Sequence, residues 1–144
     1  MFKTIKDKIV AKLIAIDEIA EVNDYAKVGF QSNPAVNVIA MGNTGEFWSV
    51  ADNQRSYNYS AWVFVPLKGN PKQAEYDNSK QQAEEVLWDV VDAILTAFDE
   101  DITLDRTVNF MRAASSSPEV AEIEDSFVLI SEVKIQAIKN ISVR

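Results

Sequence analysis

The residues able to do chemistry in this chain are almost all carboxylates. Histidine and cysteine are both absent from its 144 residues, which removes Ser-His-Asp triads, Cys-His pairs, thiol nucleophiles, disulfides and the commonest metal ligand together. Asp99, Asp101, Thr103 and Asp105 have the alternate-residue spacing of a calcium loop. Such a loop needs Gly at its sixth position for a sharp turn and Glu at its twelfth for bidentate ligation, where this chain has Leu104 and Phe110, so no metal site is expected. Glu84 and Glu85 are sequence neighbours on a predicted helix and so do not face one another, which makes them poor acid–base partners. Gly42-Asn43-Thr44-Gly45 is too short to cradle a phosphate and lacks the Gly-Lys-Ser/Thr ending, so it reads as a turn. No catalytic, cofactor-binding or metal-ligating residue is assigned. The chain is expected not to be an enzyme and to need no cofactor.

Aromatics are the other candidates. Phe47, Trp48, Tyr57, Tyr59 and Trp62 could form a stacking platform for single-stranded nucleic acid, but Arg55 is the only cation among them. Without surrounding positive charge such a platform lacks the main source of affinity, so core and interface roles are expected for these rings. The formal charge of −8 also argues against a general nucleic-acid binder. The charge is uneven: Lys3, Lys6, Lys8 and Lys12 gather at the start, and acid dominates residues 75–105 and 119–125.

The element that must position everything else is a long amphipathic helix from Asn70 to Phe98. Ala83, Leu87, Val90, Val91, Ile94, Leu95 and Phe98 step by three and four onto one stripe, while Glu84, Glu85, Asp89 and Asp92 fall between them. Asn70, Pro71 and Gln73 form a capping signal at its start, and Asp77, Asn78 and Ser79 mark a competing start before Lys80. Asp99, Glu100 and Asp101 place negative charge at the negative pole of the helix dipole, so fraying is expected there. A second amphipathic helix spans Phe2 to Ile16, with Ile5, Ile9 and Leu13 inward and the lysines outward.

Between the helices the pattern becomes β-like. Val36 to Met41 is a predicted strand, Glu46 to Ala51 its partner across the Gly42–Gly45 turn, and Asp52 to Ser56 a polar break. Tyr57 to Leu67 is the clearest strand, apolar on both faces towards its end, which implies a central strand stopped by Pro66. After the long helix, Thr107 to Ala114 is a predicted strand, Ser115 to Pro118 a break, and Phe127 to Ile141 a long strand. The order predicts one α+β domain over residues 1–144: an antiparallel or mixed sheet packed by a long central helix and an N-terminal helix. A chain of this length buries roughly two-thirds of its unfolded surface as one domain. Its longest apolar run, Ala61 to Val65, is far short of the ~20 residues that span a bilayer, and the N-terminus lacks a signal-peptide core. A soluble, unexported protein is expected.

The order of elements carries a resemblance. A basic N-terminal helix, a β block entered through Asn33-Pro34-Ala35-Val36-Asn37-Val38, the strand Tyr57 to Val65, the helix around Ala83 to Leu95 and a late strand Val128 to Ile138 resemble the tail-terminator, or tail-completion, proteins of long-tailed bacteriophages. The resemblance implies a structural virion subunit that forms a homo-oligomeric ring, a hexamer, on the last ring of tail-tube protein. It implies that the ring stops tube elongation, offers a surface to a head connector protein, and lets DNA pass through its lumen without specific binding. The location implied is the tail or neck of the virion, after assembly in the host cytoplasm, with no membrane. Ring contacts are expected at Phe47, Trp48 and Arg55, and at Lys3, Lys6 and Lys12 on the first helix. A head-side neck protein and a non-viral module that binds another protein remain open as alternatives.

Overall fold

The structure, a computed structural model, describes residues 1–47, 52–69, 72 and 74–142. Among these, two helices and six strands follow the order α1 (Phe2–Ile14), β1 (Glu21–Asn23), β2 (Ala35–Phe47), β3 (Asp52–Pro66), α2 (Ala74–Asp99), β4 (Phe110–Ser115), β5 (Glu119–Ile123) and β6 (Ser126–Ser142). The strands form one sheet in the order β1-β2-β3-β6-β4, with β5 also paired to β6. Only β1 and β2 are parallel, so the sheet is mixed. α1 lies over β1 and β2, and α2 over β3, β4 and β6. The protein is the α+β fold that its pattern predicts: a sheet with its long central helix and its N-terminal helix packed on one side.

The packing follows from periodicity. On α1, Ile5, Ile9 and Leu13 are fully buried; on α2, Leu87, Val90, Val91 and Ile94 are fully buried and Phe98 nearly so. They meet the odd residues of β3 and β6, Tyr57, Tyr59, Ala61, Val63, Val133 and Ile135, because alternate residues of a strand share a face. Leu95, expected in the same stripe, is only half-buried. It sits at the edge of the helix face, where a stripe of 3.6-residue period drifts out of the contact.

The hairpin between the helices departs from expectation. β2 runs straight through Gly42-Asn43-Thr44-Gly45, and β3 begins at Asp52, so neither the predicted turn nor the polar break at Asp52 to Ser56 interrupts pairing. The irregularity is a bulge instead, with the register shifting between Ala40 and Gly42. Gly42 takes φ of +109°, a conformation that glycine alone adopts readily. A Cβ there would meet nothing within 4 Å, so a substitution strains only the backbone. Gly42→Ala is expected to cost about 1–2 kcal/mol of stability by chemical denaturation; no loss would mean that the bulge relaxes onto another residue.

The last third also adds a strand. The acidic stretch 119–125 holds β5 and a tight turn into β6, with Glu124 and Asp125 both at positive φ, 51° and 64°. Two successive positive φ values suit a two-residue hairpin turn. β4 and β5 thus line the same edge of β6, at residues 133–138 and 126–130. The predicted Ser115 to Pro118 break separates them. Ser116 still ties that break to β6: its N–H donates to the Glu132 carbonyl at 2.8 Å, and its carbonyl accepts from Ser131 Oγ at 2.9 Å.

The capping signal at Asn70, Pro71 and Gln73 lies outside the described residues. α2 continues through Asp77-Asn78-Ser79 without a second start. Ser79 Oγ accepts the Lys68 N–H at 2.8 Å and so holds the preceding loop rather than capping a helix. At the other end the acid is met by a cation. Asp101 accepts the Asp105 N–H on both oxygens, at 2.9 and 3.1 Å, and pairs with Lys12 Nζ at 3.0 Å. The Asp105 N–H, more than Lys12, lowers the Asp101 pKa. In place of the expected frayed end, α2 leads into a turn secured to α1.

Candidate interaction surface

Both helices cover one face of the sheet, which leaves the other without a helix among the described residues. An antiparallel sheet can show such a face to water, but its residues are then polar. Here the open face carries Ile39, Trp62, Phe64, Phe110 and Ile130, by their register with one another and with neighbouring strands, and Met41, which bulges out of register and borders Asn58 and Ser60. Met41 is 58% exposed and Phe110 42%; Ile39, Trp62, Phe64 and Ile130 are half-buried. Trp62, Phe64 and Ile130 make one end of this face apolar, and such a surface calls for a cover.

At one end the cover is internal. The loop between β1 and β2 folds over β2 and β3, and Phe30 lies on Phe64 with ring centroids 4.7 Å apart. A groove remains between Val28 of this loop and Ile39, Trp62, Phe64 and Ile123. Glu21 fixes the loop. Its Oε1 accepts the N–H groups of Gln31 and Ser32 at 2.9 and 3.2 Å, and its Oε2 accepts Asn23 Nδ2 at 2.9 Å and pairs with Lys27 Nζ at 3.4 Å. Asn37, buried under the loop, donates to the Lys27 carbonyl at 2.9 Å. The hydrogen bond from Asn23, then that from Gln31, pushes the Glu21 carboxyl down from 4.5 to about 2.

At the other end the face carries mostly polar residues. Met41, Asn58, Ser60, Arg112, Ala114, Glu132, Lys134 and Gln136 line a depression of about 430 Å³. Ser60 Oγ donates to Glu132, and Arg112 Nε donates to Gln136 Oε1 at 2.6 Å. Among the described residues, neither Arg112 nor Lys134 joins an ion pair within the subunit. This end combines apolar contact with two cations not in ion pairs.

The expected contact residues scatter. Trp48 lies outside the described residues, and Phe47 is placed only as the last backbone position of β2. Arg55 is half-buried on β3, paired in register with Lys139. Lys3 is exposed and Lys6 half-exposed near the start of α1, where Phe2 packs edge-on against Tyr57 at 4.9 Å. The structure therefore brings the start of α1 against Tyr57 and Tyr59 of β3. Lys12 faces away from it, in its pair with Asp101. Of the aromatics, Tyr57 and Tyr59 are core, and Tyr59 donates its hydroxyl to the Phe2 carbonyl at 2.8 Å; Trp62 is on the open face. Sequence reasoning read the second apolar face of β3 from Trp62 and Phe64 but missed the rest of the open face, because its other residues come from β2, β4 and β6 together.

No helix among the described residues is long and apolar enough to cross a membrane. Comparison of the chain with protein-family models and with curated proteins finds no match.

Proposed function

We propose that this chain is a structural subunit of a virion, a tail-terminator-like protein whose copies form a ring, a hexamer, on the end of a phage tail tube. In this reading the ring stops tube growth, meets a head connector protein and lets DNA pass through its lumen. The observation that supports it best is a sheet face that no helix covers among the described residues and on which Met41 and Phe110 stay exposed, a surface suited to a subunit completed by its neighbours. A closed ring needs two different patches on each subunit, and a sheet with helices on one side only presents two unlike sides. The net charge of −8 suits a conduit that must not hold phosphates.

The test removes the gene from its phage. Tails of uncontrolled length, or tails of set length that fail to join heads, are the expected result. Normal infectious particles overturn the reading, and full heads that leak DNA beside normal tails assign the protein to the head side of the neck.

A further inference from the structure

The two unlike sides of the subunit are complementary in charge, and we infer that the polar end of the open sheet face docks the outer face of α2 from a second copy of this chain. The inference rests on the ring reading and names its contact. The outer face of α2 carries Trp88, 42% exposed, an unusual place for the largest apolar side chain. Glu84 and Glu85 precede Trp88 by four and three residues and Asp92 follows it by four, so all three surround it on the helix surface. None of these carboxylates joins an ion pair among the described residues.

The sheet face offers the counterpart. Its depression of about 430 Å³ is ample for an aromatic ring, since a cavity of about 150 Å³ holds benzene. Met41 and Ala114 supply apolar contact there. Arg112 and Lys134 supply the cations that the carboxylates around Trp88 lack, and Glu132, the acidic residue in the depression, is occupied by Ser60. A molecule of net charge −8 has few surfaces on which its own acidic helix could settle, and this one carries more cations than anions.

The sheet edges are less suited to join copies. β2 is interrupted by its bulge at Met41, and the β4–β5 edge is broken before Pro118, features that discourage strand-to-strand pairing. The two docking patches lie on opposite sides of the subunit, so the contact is heterologous and repeats from copy to copy.

The absence of native cysteine makes the contact directly testable. Glu85→Cys and Ala114→Cys, both at exposed positions that leave Trp88 in place, are introduced separately and together into the full chain. On oxidation of concentrated protein, the doubly substituted chain is expected to give a ladder of disulfide-linked multimers, and an equal mixture of the single variants a mixed dimer. Trp88→Ala in the same background should weaken association by roughly thirtyfold or more. Arg112→Glu should abolish the mixed dimer, and a charge swap pairing it with Glu84→Arg should restore it. Dimers formed by Ala114→Cys alone would mean a symmetric face-to-face contact and overturn the inference. So would cross-linking no faster than that of a Lys3→Cys control. A ring seen by native mass spectrometry without these links would sink the contact but spare the ring, whereas normal tails without the gene would sink the ring reading itself.

Discussion

Leu87→Ala is expected to lower the unfolding free energy by about 2–5 kcal/mol, the range for truncating a fully buried leucine in a core that collapses only partly around the hole. Leu87 is fully buried at the middle of α2, among Ala83, Val90, Val91 and Ile94. It belongs to the core cluster that also holds Val63 of β3, Val133 of β6 and Met111 of β4. The loss should appear in chemical denaturation as a lower midpoint with an unchanged slope. A loss below about half a kcal/mol would mean that this part of the helix does not pack on the sheet in solution. Leu95→Ala offers the internal comparison. Leu95 is half-buried, so its truncation should cost clearly less although its chemistry is the same.

That contrast also marks what the amino-acid order could and could not carry. Burial along α2 is a one-dimensional signal, readable from steps of three and four, and it failed only at Leu95, where the stripe runs past the width of the contact. The alternation in Tyr57 to Val65 was likewise sufficient to place β3 and its inner face. Local composition misled where tertiary pairing overrode it. Gly42-Asn43-Thr44-Gly45 has the residues of a turn, yet β3 pairs along that whole length of β2, and the glycine serves a bulge. The acidic stretch 119–125 had no predicted element, yet β6 offers it a free edge and a two-residue turn folds it back. The open face was hardest to see, because Met41, Arg112 and Lys134 share it only after three strands are set in register. Glu21 carried little signal: two of its partners are loop amides that any sequence possesses, and the other two, Asn23 and Lys27, meet it only once the loop is folded.

Glu21 nevertheless governs how the apolar end of that face is closed. Its carboxyl is held at about 2 rather than its usual 4.5, chiefly by the Asn23 amide and the Gln31 N–H. A carboxyl whose pKa is depressed by folding contributes stability that is complete above 4.5 and is lost as the pH falls towards 2. With its side chain only 14% exposed, the interaction is weakly screened, and hydrogen bonds to an ionised group of this kind are worth about 1.5–3 kcal/mol. Glu21→Gln is therefore expected to speed amide exchange at Gln31 and Ser32 by roughly tenfold to a hundredfold at neutral pH, a tenfold change corresponding to about 1.4 kcal/mol. Fluorescence of Trp62, which lines the groove beside Val28, should shift towards that of a wetter site. The difference between the two proteins should shrink steadily as the pH falls from 4.5 towards 2, because the carboxyl of the opened loop takes up a proton over that range while the closed one stays ionised down to about 2. A difference that stays constant down to about pH 2 would show that the loop is held by Phe30 on Phe64 and not by the charge. In that case acid could not uncover Phe64, and the apolar end of the sheet would stay closed across the whole range.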